Sequence, residues 1–409
     1  LLILTIVYTF NFLDRQIIAI VSPAVKAELG LSDSTLGLLK GLAFAVLYTT
    51  LGIPIAWLAD RWSRVNIVSI SLAVWSLFTA LSGLAQNALH LILARIGVGI
   101  GEAGGTPPSH SILSDYFPKE RRASALAFFS LGIPIGQMIA FLAGGWVVQN
   151  LGWREAFLLV GLPGVALAVV LKMTVREPVR GAMEKADRKT VSFKEGLSTL
   201  LRIPTYWGII AGVTAASFTG YGMGMWAVDF YKRTYDLSYT EITVPLGLLN
   251  GLAYALGTYL GGALTDRFGA KDKGAYAWIP ALGMLATIPV GALSLWAETP
   301  FWAFFWTAPF LIGLGMYLGP SMSIVQTLAP VNLRAFATAF YFFILNLIAL
   351  GLAPLWIGVM SDVFAKTYGE TTGLRMALTT LGVSSLIAAL IFFWTSRKLP
   401  ADWKKATGD

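Results

Sequence analysis

Two acids and two arginines interrupt stretches that are otherwise apolar: Asp14 and Arg15 in one, Arg95 and Glu102 in another. In a membrane each costs roughly 2.5–3.5 kcal/mol at mid-helix, so each needs a partner or a wet cavity. Arg95 and Glu102 are seven residues apart, two helical turns, and share a face. If the two stretches run in opposite directions, Asp14 and Glu102 fall at comparable depth. Two carboxylates in a poorly hydrated site resist ionising together, and a nearby arginine opposes that effect. The set therefore has the ingredients of a proton-coupling switch, with Asp14 and Glu102 exchanging the proton and Arg15 and Arg95 tuning it. The bland alternative is a static network tying two helices: Asp14 with Arg15 or Arg95, and Glu102 with Arg95.

The second half supplies no matching charges. Asp229 is expected at the outer end of its helix, as a solvated end residue. This half offers instead Tyr221, Met223, Met225, Trp226, Asn250, Met316, Tyr317, Tyr341 and Asn346. Each alone reads as packing. Together they suggest a cavity cationic on one wall and aromatic on the other, with Arg15, Arg95, Tyr221, Met225, Tyr317, Tyr341 and Asn346 as substrate contacts. That suits an amphipathic anion.

The elements that must carry these groups are membrane helices. Of 409 residues, 56% are hydrophobic and 13% charged, against roughly 25% charged in a soluble domain. Twelve spans are expected, at 1–24, 36–58, 65–86, 89–114, 122–149, 155–175, 203–231, 241–264, 275–297, 301–328, 335–361 and 373–396. A polar linker at 176–202, with a short amphipathic helix at 191–202, separates residues 1–175 from 203–409. The expected class is an all-α integral membrane protein. Glycines crowd span 4 (Gly97, Gly99, Gly101, Gly104, Gly105) and span 10 (Gly313, Gly315, Gly319), a spacing that favours close helix approach.

Composition excludes several chemistries. With no cysteine and two distant histidines, neither a thiolate metal site nor a cysteine nucleophile is available. No nucleotide-binding loop or nucleophile–base pair is visible, so neither an enzyme nor a cofactor is expected. The net charge of +8 is explained by topology rather than by nucleic acid. With 176–202 placed in the cytoplasm, cytoplasmic segments hold 21 Lys and Arg, outer loops 7, and Arg15 and Arg95 the remainder. Both termini are then cytoplasmic. Leu1 opens directly into an apolar run, and a preceding tail is compatible with that.

The chain also repeats itself. Leu58-Ala59-Asp60-Arg61-Trp62-Ser63-Arg64 recurs 206 residues on as Leu264-Thr265-Asp266-Arg267-Phe268-Gly269-Ala270-Lys271. Pro118–Ala123 is echoed by Pro330–Ala335, and Gly152-Trp153-Arg154 by Gly373-Leu374-Arg375. Three matches in register point to two homologous halves. The Asp-Arg hairpin resembles the signature loop of the major facilitator superfamily, although Ala56 and Ser63 replace its usual glycines in the first copy. The resemblance implies 12 transmembrane helices in two pseudo-symmetric six-helix bundles, with helices 1, 4, 7 and 10 lining an alternately open cavity.

In that fold Asp60 and Asp266 would sit near helix N-termini, worth roughly 0.3–1 kcal/mol each. Arg61, Arg64 and Arg267 would pair with carboxylates such as Asp115, forming a conformational latch. Asn11-Phe12-Leu13-Asp14-Arg15, Gly99-Ile100-Gly101-Glu102-Ala103-Gly104 and Ser114-Asp115-Tyr116-Phe117-Pro118 further resemble the Spinster family. That resemblance implies proton-linked export of a lysophospholipid or sphingosine 1-phosphate-like anion by a bacterial inner-membrane monomer. Its partners would be that substrate, protons and membrane lipids. Open alternatives are a proton symporter of sugar acids, a drug–proton antiporter (Gly132-Ile133-Pro134-Ile135-Gly136 approximates the antiporter motif), and a passive scramblase or sensor.

Overall fold

A computed structural model of the chain describes residues 1–59, 61–180, 193–330 and 333–407. Within them the regular structure is helical, and twelve long helical runs follow one another. They are α1 (Leu2–Leu29), α2 (Asp33–Lys40 and Leu42–Ala59), α3 (Arg64–Ser82) and α4 (Ala88–Glu102 and Thr106–Tyr116). Next come α5 (Lys119–Ser130 and Gly132–Asn150), α6 (Trp153–Thr174), α7 (Pro204–Tyr235) and α8 (Tyr239–Gly269). The last four are α9 (Ala275–Leu295), α10 (Pro300–Gly315 and Leu318–Leu328), α11 (Arg334–Leu345 through Gly351–Tyr368) and α12 (Glu370–Thr379 and Leu381–Thr407).

Nine of these runs, among the described residues, are long and apolar enough to cross a membrane. The other three are α4, α7 and α8, and α4 is one of those that the sequence selects for chemistry. A short helix, Phe193–Leu201, precedes α7, close to the amphipathic segment expected at 191–202.

The helix breaks follow from composition. The first segment of α4 ends at Glu102, turns through Ala103–Gly105, and resumes with Pro107 in its first turn. Proline is favoured there because its missing N–H is an orphan in any case. In α10 the first segment ends at Gly315, and Pro320 again opens the next. In α11 a single π-helical turn, Asn346–Leu350, interrupts the α ladder.

Two compact units are present. One comprises Leu1–Ala186, Met225–Gly247 and Pro354–Asp362; the other comprises Asp187–Gly224, Leu248–Ala353 and Val363–Asp409. In the first, a Cβ on Gly99 would lie 2.5 Å from the Phe44 carbonyl, and one on Gly161 2.5 Å from backbone of α3. Glycine lets α2 meet α4 and α3 meet α6 backbone to backbone, which matters in lipid because no hydrophobic force draws helices together. In the second unit Gly283 and Gly313 place α9 against α10 in the same way, each Cβ position 2.8 Å from the other residue's carbonyl. Large apolar side chains such as Trp57, Leu252, Tyr259 and Phe301 remain exposed, as a lipid-facing surface requires.

Candidate functional site

The four intramembrane charges meet between α1 and α4. Arg15 Nε donates to Glu102 Oε2 at 2.6 Å, with the Glu102 side chain fully enclosed. The Arg15 guanidinium also lies over Tyr48 at 4.4 Å and over Phe12 and Phe44 at 5.2 Å. Arg95, 2% exposed, approaches the same Phe44 ring at 5.3 Å and donates to the Leu39 carbonyl at 3.4 Å. Phe44 therefore contacts both guanidiniums. Such contacts hold a desolvated cation at about 2 kcal/mol or more.

Asp14 differs from its neighbours. It is fully buried, and no hydrogen bond of standard length reaches either carboxylate oxygen. The Thr79 hydroxyl and Trp75 indole N–H, one turn apart on α3, are the donors beside it. The pairing expected of a static network, Asp14 with an arginine and Glu102 with Arg95, is replaced by a single close pair, Arg15 with Glu102.

In the second unit, Tyr317 and Ser217 hydroxyls are 2.8 Å apart, and Tyr317 and Tyr341 are buried. Tyr254 lies next to Tyr317 and Tyr221. It is not among the tyrosines that the sequence singles out. Asn346 opens the π-turn of α11, a feature that often marks functional sites. Met225, also buried, belongs to the first compact unit and not to the one holding the tyrosines.

A second buried charge cluster lies at the α1–α2 end of the first unit, and it corrects the expectation for Asp229. That residue is fully buried rather than solvated. It accepts from Lys40 Nζ at 2.5 Å, from Ser22 at 2.6 Å and from Arg233 at 3.4 Å. Arg233 in turn grips Asp33 with two bonds of 2.7 Å, and Ser361 donates to Asp33 at 2.6 Å. Asp362 accepts from the backbone N–H groups of Asp33 and Ser34 at 3.0 and 2.8 Å. The physical reason is helix length. The α7 helix runs on to Tyr235, and α2 begins at Asp33, so residues placed at span ends lie more than a turn inside the fold.

At the α2–α3 end, Arg64 pairs with Asp115 as expected, and also with Glu177 at 2.7 Å. Glu177 further accepts from Ser63 at 2.8 Å and from the Val65 N–H at 2.9 Å, so the chain leaving α6 is strapped to the N-terminus of α3. Burial pushes the Glu177 carboxyl up, but the Val65 N–H, Arg64 and Ser63 outweigh it and hold it below the usual range. Arg61 lies on the Trp57 ring at 3.8 Å. Asp266 and Arg267 are exposed, Arg267 being 5.9 Å from the Phe268 ring. Asp60 lies outside the described residues.

Comparison with known proteins places this geometry. The model of the Major Facilitator Superfamily matches residues 4–354. An "MFS-type efflux pump" of Mycolicibacterium smegmatis is 32% identical over 403 residues, covering 98% of this chain and 92% of that protein. Protein spinster homolog 1 of Xenopus laevis is 26% identical over 435 residues, covering 99% and 81%. A crystal structure of a bacterial homolog to the human lysosomal transporter Spinster, inward-facing and unoccupied, superposes with a TM-score of 0.91. It is 31% identical and covers 98% of this chain and 97% of that one. The similarity to Spinster read from α1 and α4 is thus borne out along the whole chain. The chain belongs to the Major Facilitator Superfamily, as a multi-pass membrane transporter related to Spinster and not an enzyme.

Proposed function

We propose that the chain is a proton-coupled secondary transporter that exports a lipid-like amphipathic anion by alternating access. The observation that carries this reading is the unequal treatment of two buried acids. Glu102 has Arg15 at 2.6 Å, whereas Asp14 has no ion-pair partner. Burying an unpaired charge is expensive, so Asp14 is the group best placed to take up and release a proton. Arg15 and Arg95 then serve the anionic head group, and capture of Arg15 by that anion would free Glu102 as a second proton site. Tyr221, Tyr317, Tyr341, Asn346 and Met225 are assigned to the apolar part of the substrate. Arg61, Arg64, Asp115, Asp266 and Arg267, with Asp60, are assigned to the latch.

The similarity to Spinster proteins supports a lipid-like cargo, and that to an efflux pump supports the outward direction. The excess of Lys and Arg on one side favours cytoplasmic termini, and bacterial relatives favour an inner membrane. Residues 1–175 and 203–409 are taken as the two six-helix bundles, joined by 176–202, in a working monomer.

Proteoliposomes with an imposed pH gradient test the reading. Radiolabelled lysophosphatidylglycerol or sphingosine 1-phosphate should accumulate against its gradient, and Asp14→Asn should abolish accumulation. Accumulation of galactonate with no response to either lipid would overturn the cargo assignment. Lipid movement indifferent to both the gradient and Asp14→Asn would indicate a passive scramblase. A second reading, drug–proton antiport, is favoured by the efflux-pump relative. It predicts gradient-driven ethidium extrusion that lysolipids do not inhibit.

A further inference from the structure

The first unit contains a small, partly open cavity of about 10 Å³ between α1, α3, α4 and α5, about the space one water needs. Its polar lining comes from Tyr8 and Asn11 on α1, Trp75 on α3, and Thr106 and Ser109 on α4, with Phe129 closing it from α5. No role assigned above uses it. Its position follows from helical spacing. Asn11 is one turn from Asp14, Trp75 is one turn from Thr79, and Gly105 and Thr106 are one turn from Glu102.

The chemistry of the lining is unusual for an apolar bundle. Asn11 is 2% exposed with its side-chain oxygen unpartnered, and Trp75 is fully buried, its indole N–H making no hydrogen bond of standard length. Both atoms belong to residues that line the cavity. Asn11 also adjoins Glu102, and Trp75 adjoins Asp14. Buried polar groups without a protein partner are rare, and a one-water space beside such groups is where an ordered water sits. Glycine at 105 leaves part of the wall open, the Trp75 ring approaching its Cβ position at 3.3 Å. Tyr8 lies against Phe129 at 4.3 Å, and its hydroxyl adjoins Thr106.

We propose that this cavity is a hydration site for a single water, held by Asn11, Trp75, Ser109 and Thr106, that delivers protons to Asp14 and Glu102. The inference rests on the proton-carrier reading of Asp14. It adds a route for the proton that is separate from the arginine-lined surface assigned to the substrate. Proton and cargo then need not share one path. No bond other than the O–H bonds of water and carboxyl is made or broken in the transfer. Arg15 and Arg95 are the cations near the acids, and Tyr8 is the one other titratable group lining the cavity.

Hydroxyl-radical footprinting in ¹⁸O water, on the full chain in proteoliposomes, tests the site without any substrate. Trp75 should acquire the label rapidly despite its burial, while Phe157, equally buried in apolar packing, should not. Rates are scaled to each residue's intrinsic reactivity. Val7→Phe and Ser109→Val, which fill the cavity or remove its polarity, should cut labelling of Trp75 several-fold. They should also slow pH-gradient-driven accumulation of lysophosphatidylglycerol about tenfold and leave its exchange at equal pH unchanged.

A Trp75 as unlabelled as Phe157 in the wild-type chain overturns the hydration site, whatever Asp14 does. A labelled Trp75 with Asp14→Asn still fully gradient-driven overturns the proton-carrier reading, and with it the delivery role. The two failures are therefore distinguishable.

Discussion

Lys40 Nζ lies 2.5 Å from Asp229 Oδ2 and 3.8 Å from the centre of the Trp226 ring, with neither charged side chain exposed. The pair joins α2 to α7. Each side of it is buttressed differently: Asp229 has Ser22 and Arg233 as further donors, whereas Lys40 has only the ring face beside it among the contacts described. Such a pair is weak evidence of net stability, but breaking it from one side is costly.

That asymmetry sets the first expected outcome. Asp229→Asn leaves Lys40 buried without its anion and should cost about 3–5 kcal/mol. Lys40→Met should cost less, because Ser22 and Arg233 still satisfy Asp229. The double variant should be more stable than Asp229→Asn alone. Thermal unfolding of the four proteins in one detergent checks this, and equal losses from the two single variants would contradict it.

The second concerns Arg15, whose planar guanidinium combines a 2.6 Å bond to Glu102 with contacts to Tyr48 and Phe44. An ammonium keeps the charge but cannot reproduce the planar contacts. Arg15→Lys should lower gradient-driven transport by about 10–100-fold, the value of roughly 1.5–3 kcal/mol for a charged hydrogen bond. Initial rates in proteoliposomes measure it, and a wild-type rate would remove Arg15 from the assigned site.

How far the residues announced these sites depends on where each lies along its helix. Asp14, Arg15, Arg95 and Glu102 stand out because hydropathy is unambiguous at mid-span. Lys40 and Asp229 do not, since hydropathy locates the apolar core while the helices α2 and α7 extend past it. The glycine runs announced close helix approach, which Gly99 and Gly313 show, but not the breaks in α4 and α10. Phe44, Tyr48 and Trp75 carry no pattern that separates a cation platform or a polar donor from ordinary packing. Glu177, in a linker of mixed charge, reads as solvated until its three donors are seen.

Glu177 gives a pH dependence with a definite sign. Its folded carboxyl is held below the ordinary value by the Val65 N–H, Arg64 and Ser63, against burial. Its contribution is therefore fully present above the unfolded value, about 4.3, and is lost as pH falls through the folded one. The side chain is partly exposed, so the effect is modest. Glu177→Gln should lower the melting temperature at pH 7, and the gap to wild type should close as pH drops below about 4. A gap that stays constant from pH 7 to 3 would place the stabilisation elsewhere.

The last prediction tests whether the arginines depend on helix spacing. A methyl group on Gly99 would meet the Phe44 carbonyl oxygen at 2.5 Å and the carbonyl carbon at 3.3 Å. These are backbone atoms and cannot swing aside, so α2 and α4 must separate. Phe44 is the ring that Arg15 and Arg95 both approach, at 5.2 and 5.3 Å. Gly99→Ala should therefore destabilise the fold by about 1–3 kcal/mol, as overpacking does, and weaken anion binding as well. Gly52→Ala on the same α2 helix, where a methyl group meets nothing within 4 Å, provides the control. Lysophosphatidylglycerol affinity measured on both variants at a temperature where each is folded separates the two effects. A Gly99→Ala protein that is less stable yet binds as tightly as Gly52→Ala would show that the arginines hold their positions without Phe44.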